Sequence, residues 1–141
     1  MTRPTLKTIG LLSALAVALA LAAPADAAAP RYIMITGPRL ASPILMDDWS
    51  ENLEFELAIV NSPRMQRSGY SGRPRYGIFL FWNGNIWTRP PSSTKQADER
   101  AWFYPAHGRR TAVINDPQRM LRRASRALLV ILKRHGVPIR R

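Results

Sequence analysis

The chain has 141 residues, no cysteine, and a formal charge of +12 from 21 basic and 9 acidic side chains. Without cysteine it has no disulfide, zinc–thiolate site, iron–sulfur cluster or thiol nucleophile, so packing alone must hold the fold. A chain of this length is sized for one domain with its own core, and the charge bears on anionic partners and solubility rather than on fold.

The amino end carries the parts of a secretion signal. Arg3 and Lys7 open it, Ile9 to Ala23 is uncharged, and Ala25-Asp26-Ala27 places small side chains where a signal peptidase needs them. The apolar run of 15 residues is shorter than the roughly 20 that cross the hydrocarbon of a bilayer. Residues 1–27 are therefore read as a cleaved signal peptide and 28–141 as a single domain with no transmembrane span, secreted or periplasmic. No twin-arginine pair precedes the run, and there is no cysteine to carry a lipid anchor.

Tyr32-Ile33-Met34-Ile35-Thr36 is rich in β-formers and stopped by Gly37-Pro38, which predicts a strand. Pro43-Ile44-Leu45-Met46 leads into a helix that Asp48 caps, with Glu51 completing a capping box. Met46, Trp49, Leu53, Leu57 and Val60 recur at helical spacing, and those inside the helix are expected to form its buried stripe. Asn61-Ser62-Pro63 ends it. Arg64 to Pro74 reads as a loop, and Tyr76 to Trp82 as a strand apolar on both faces, hence central. Asn83-Gly84 signals a hairpin that sets Leu80 opposite Trp87. After the loop Arg89–Lys95, Ala101–Tyr104 and Thr111–Ile114 read as two more strands. Asp116 as cap, Pro117 in the first turn and Gly136-Val137-Pro138 as stop predict a long final helix. Its expected apolar face is Met120, Leu121, Ala124, Leu128, Ile131 and Leu132. The sum is an α+β domain: a small antiparallel sheet of about four to five strands with two packed helices.

Beyond the leader all bases but Lys95 and Lys133 are arginines, the side chain suited to planar, bidentate contact with phosphate or carboxylate. On the last helix Arg119, Arg122, Arg123, Arg126, Lys133 and Arg134 face no acid after Asp116, which makes them the candidate contact with an anionic surface, lipid or wall polymer. An ordinary docked helix with a solvated basic face accounts for the same pattern. Arginines interleaved with aromatics (Tyr70, Arg73, Arg75, Tyr76; Trp87, Arg89, Arg100, Trp102) suit either base stacking or cation–π pairs at a sheet rim; export argues against nucleic acid. His107 and His135 have no acid near them in sequence, so no metal site is expected. Ser68-Gly69-Tyr70-Ser71-Gly72 lacks the spacing of a hydrolase nucleophile turn. Asp47, Asp48, Glu51 and Glu54 sit where capping and the helix dipole explain them. No catalytic residue and no cofactor are assigned.

Gly37-Pro38-x-Leu40-x-x-Pro43-Ile44, then Phe103-Tyr104-Pro105-Ala106, then Gly136-Val137-Pro138, resembles a pattern found in exported or membrane-tethered bacterial proteins of unknown function. Arg109 stands where those relatives carry a second glycine. The resemblance implies an extracytoplasmic α+β domain and supplies no active site. The expectation is thus a non-enzymatic basic domain that binds an anionic envelope component. The alternatives are a module that binds an extracytoplasmic protein through the aromatic sheet face, and a small secreted hydrolase without a recognisable motif.

Overall fold

The computed structural model describes residues 28–66, 74–82 and 89–141. The leader lies outside the described residues, as do the Ser68–Gly72 segment and the Asn83-Gly84 turn.

The chain forms an α+β fold. Among the described residues six antiparallel strands make one sheet: β1 (Tyr32–Thr36), β2 (Ile44–Met46), β3 (Tyr76–Phe81), β4 (Glu99–Tyr104), β5 (Val113–Asn115) and β6 (Leu121–Arg123), in the order β2-β1-β3-β4-β5-β6. Helices α1 (Trp49–Val60) and α2 (Arg126–Arg134) join it. Alternation decides which side chains meet the helices. Ile33, Ile35, Tyr76, Ile78, Leu80, Ala101, Phe103 and Ile114 form one buried cluster with Phe55, Ala58 and Ile59 of α1 and Leu128, Ile131 and Leu132 of α2. On the opposite face Tyr32, Met34, Phe79 and Phe81 make a second buried cluster, packed by Ala97. β3 is buried along its whole length between β1 and β4, as its two apolar faces require.

Several sequence expectations change. Among the described residues the sheet has six strands, slightly more than the about four to five expected. Met46 is not helical; it ends β2, pairs with Ile33 and is buried there. The buried side of α1 is Asn52, Phe55, Ala58 and Ile59, whereas Trp49, Leu57 and Val60 are among the most exposed apolar residues. Asn52 is the polar member of that buried side. Its amide Nδ2 lies 3.0 Å from Pro30 O, 3.2 Å from Arg31 O and 3.4 Å from Met46 O. Those contacts tie α1 to the start of β1 and the end of β2, with Phe55, Ala58 and Ile59 buried on the same side. Leu80 has Ile33 on one side and Glu99 on the other, so it cannot pair with Trp87; the remaining hairpin pairs lie outside the described residues.

The largest correction concerns the end of the chain. Asp116-Pro117 does not start a helix; it starts the turn between β5 and β6. Arg119 N donates to Asp116 O at 2.9 Å, Asp116 N donates to Met120 O at 2.9 Å, and Arg119 sits in the left-handed region at φ 63°. This is a three-residue hairpin loop whose left-handed position usually carries glycine. An aspartate before a proline serves a type I turn as well as a helix start, because both let its carboxylate accept backbone N–H groups two or more residues on. α2 begins only at Arg126, capped by Ser125 Oγ, which accepts from Leu128 N at 3.2 Å. Met120, Leu121 and Ala124 therefore lie before the helix. Its stop is as expected: Gly136 at φ 84° closes α2, and Val137 N donates to Leu132 O at 3.0 Å in a glycine-closed helix end.

Candidate functional site

With the helix shortened, the six basic residues expected on its face separate. Arg119 lies in the β5–β6 turn, Arg122 and Arg123 on β6, and only Arg126, Lys133 and Arg134 on α2. Arg122 is structural. Its Nε donates to Asp116 Oδ2 at 2.8 Å, and its Nη1 donates to Val60 O at 3.1 Å and Ser62 O at 2.9 Å, so it caps the carboxyl end of α1 from the sheet. Arg134 is within 3.6 Å of Glu51, and His135 Nε2 meets the other oxygen of the same carboxylate. That partner of His135 lies 84 residues away, beyond the reach of local sequence reading. Arg123, Arg126 and Lys133 remain exposed.

The register redistributes the charge between the two ends of the sheet. Asp98 and Glu99 sit at the start of β4 and Asp116 follows β5, so these acids lie toward the end where β3 finishes; Asp47 follows β2 at that end but at the far edge of the sheet. They are largely engaged there. Asp98 Oδ2 accepts Trp82 N at 2.8 Å, Glu99 Oε2 accepts Trp82 Nε1 at 3.0 Å, and Asp116 holds its own turn and Arg122. Glu56 on α1 is half-buried, with Oε2 unpartnered, and its pKa is raised first by burial and then by Glu99 and Asp116. A recess of about 450 Å³ along the outer face of β3–β5 mixes Arg75, Arg100 and Arg119 with Asp98, Glu99 and Asp116. Two of its arginines are also engaged: Arg75 stacks 3.8 Å over Trp102 and Arg100 lies 5.8 Å from the Phe79 ring, the rim pairs that the interleaved sequence allowed.

At the opposite end the loops are basic. Arg39 lies in the β1–β2 loop, Arg109 and Arg110 in the β4–β5 loop, and Arg140 and Arg141 in the tail that returns from α2. The tail is fixed there: Ala106 N donates to Ile139 O at 3.0 Å and Arg141 N donates to Ala106 O at 2.7 Å. Arg39 and Arg141 both act electrostatically on Tyr76, the first residue of β3, which places them at the same end. Gly37 packs against the Tyr76 ring so closely that an added Cβ would stand 2.4 Å from it. The three short segments of the sequence pattern, around Gly37-Pro38, Phe103–Ala106 and Gly136–Pro138, thus all lead into this end.

Here a recess of about 340 Å³ opens between the β4–β5 loop, α2 and the tail. Arg109, Arg110 and Arg140 line it, with Ala106, Ala112, Leu129 and Ile139 as the apolar part and no carboxylate side chain in the lining. Arg140 Nη1 donates to Gly108 O at 3.3 Å, which holds that guanidinium against the loop. Sequence reading grouped basic residues by helical spacing and so missed this set, in which residues 109–112 and 139–140 meet through the Ala106–Arg140 bridge.

Among the described residues no group of three or more histidine or acidic side chains could hold a metal ion, and no helix is long and apolar enough to cross a membrane. His107 is exposed in the β4–β5 turn. On the outer face Phe79 is 6% and Phe81 0% exposed; Trp87 lies outside the described residues. What fold and site define is a single-sheet α+β domain with an arginine-lined recess at one end. No known protein family, curated protein or solved structure matches the chain.

Proposed function

We propose that the domain acts outside the cytoplasm, after loss of residues 1–27, as a non-enzymatic binder of an anionic envelope component, and that the recess of Arg109, Arg110 and Arg140 is where the anion is held. One observation carries the reading: three arginines line an opening that has an apolar wall and no carboxylate side chain. Arginine forks suit phosphate and carboxylate oxygens, and Leu129 and Ile139 offer contact to an apolar substituent beside the charge. A phosphate-bearing lipid headgroup and a phosphate-bearing polymer share that chemistry.

The test is co-sedimentation with vesicles of phosphatidylglycerol in phosphatidylcholine, with soluble polyphosphate as a competing probe. Binding is expected to fall steeply with salt and to drop at least tenfold in an Arg109→Ala/Arg140→Ala variant, while Arg126→Ala/Lys133→Ala has little effect. Displacement by polyphosphate identifies the phosphate as the recognised group; retention in its presence assigns the apolar wall a share. Equal binding by both double variants, or binding indifferent to salt, refutes the recess as the site.

A further inference from the structure

We propose that the helical layer is the contact face of a weak homodimer, in which α1 of one copy lies against α2 of the other. α1 carries an apolar line along its outward side: Trp49, Leu53, Leu57 and Val60 recur every three or four residues. Trp49 is 53%, Leu57 48% and Val60 54% exposed, and Leu53 is half-buried. Between the basic positions of α2, Val130 is 49% exposed. Nothing in the core uses these side chains, because the other side of α1, with Asn52, faces the sheet.

Charge selects the occupant. The exposed side chains around α1 are acidic (Asp47, Asp48, Glu54), and those of α2 and its approach are basic (Arg123, Arg126, Lys133). One surface therefore carries both halves of a complementary pair, the condition for a self-matching two-fold contact. The helices run antiparallel, since Ser125 at the start of α2 meets Ala58 while His135 at its end meets Glu51. A two-fold axis parallel to them sets α1 over the partner's α2 in antiparallel sense, with acids opposite bases. An axis across them would set acid on acid and base on base, which repulsion disfavours. In a chain this basic like-charge repulsion opposes self-association, and the acids around α1 offset it on this face.

The size sets the strength. α1 has 12 residues, about 18 Å of helix, and two helices side by side span about 20 Å. The resulting footprint of about 360 Å² is below the roughly 800 Å² per partner of a standard interface. Contacts of this size are weak and transient, so association is expected only at high protein concentration.

Sedimentation velocity over a concentration series tests this. The wild type should shift from monomer to dimer at low salt and weaken in high salt. Leu57→Asp, at a half-exposed site outside the core, should remain monomeric while keeping a native circular dichroism spectrum. Glu54→Lys and Lys133→Glu should each weaken the dimer, and the double charge swap should restore it, a result that general destabilisation cannot produce. Three results would each overturn the proposal: a wild type monomeric up to about 1 mM, a dimer that survives Leu57→Asp, or a swap that fails to restore association.

Discussion

Arg122→Leu is expected to be among the most damaging single changes to this fold, although sequence pattern alone placed the residue on a solvated face. The magnitude follows from its surroundings. The Arg122 side chain is 11% exposed and that of its partner Asp116 6%. Breaking a buried pair by removing one partner costs about 3–5 kcal/mol. Asp116 keeps two backbone donors, Gln118 N at 2.9 Å and Met120 N at 2.8 Å, so its carboxylate is not orphaned and the ionic part falls toward the lower limit. The carbonyls of Val60 and Ser62 lose their donor as well, adding about 1 kcal/mol. A total near 4 kcal/mol is a large share of the 5–15 kcal/mol that holds a typical domain. Urea titration followed by tryptophan fluorescence reads it, with Arg126→Leu as the exposed control, expected within about 0.5 kcal/mol of wild type. A loss below about 1 kcal/mol for Arg122→Leu would refute the assignment of this residue as the tie between sheet and helix.

Glu56→Gln is expected to raise the urea midpoint at pH 7, because burial, then Glu99 and Asp116, disfavour the charged carboxylate and lift its pKa above 4.5. A carboxyl with a raised folded-state pKa binds protons more tightly in the folded than in the unfolded chain. Its contribution therefore favours folding increasingly as pH falls from 7 through the raised value, and Glu56→Gln should flatten that part of the stability profile; an identical profile for the variant would count against it. Asn52→Asp is expected to unfold the domain at neutral pH. It exchanges a donor amide for a carboxylate facing the carbonyls of Pro30, Arg31 and Met46 in a site of zero exposure, and circular dichroism showing a native fold at pH 7 would oppose this.

The parts of the fold that sequence reading located correctly are those where local chemistry has one reading. β1 and β3 are bounded by glycine or proline and filled with β-formers, and Gly136 can end a helix but not continue one. Where one signal serves two structures, the longer-range contact decides. Asp116-Pro117 satisfies a turn as well as a helix start, and the pairing of Ile114 with Arg122 favours the turn. The larger hydrophobic residues of α1 suggest one buried side, but the side that packs carries a polar residue, Asn52, whose amide meets the carbonyls of Pro30, Arg31 and Met46, beside Phe55 and Ile59. The arginine-lined recess was not legible for a related reason. It joins two segments about 30 residues apart through a tail that pairs with Ala106, and no spacing rule carries that contact.

Two arginines occupy backbone positions that favour glycine, one at each end of the sheet, and together they separate stability from binding. Arg39 is third in the turn Gly37-Pro38-Arg39-Leu40, with φ 69°, closed by Leu40 N on Gly37 O at 3.3 Å; a type II turn normally has glycine there. Arg119 holds the equivalent left-handed place in the β5–β6 loop at φ 63°. For a side chain with a Cβ this conformation costs roughly 1–2 kcal/mol, and glycine returns part of the gain as unfolded-state entropy, leaving a net stabilisation of about 0.5–1 kcal/mol for each substitution. Arg119→Gly, at the acidic end, should raise the melting temperature and leave anion binding unchanged. Arg39→Gly should raise it equally but weaken binding, because it removes a positive charge from the end that holds the recess. If strain at Arg39 is retained for the ligand, the two measurements move in opposite directions in that variant alone. Equal binding by both glycine variants would mean that Arg39 serves the turn and not the anion.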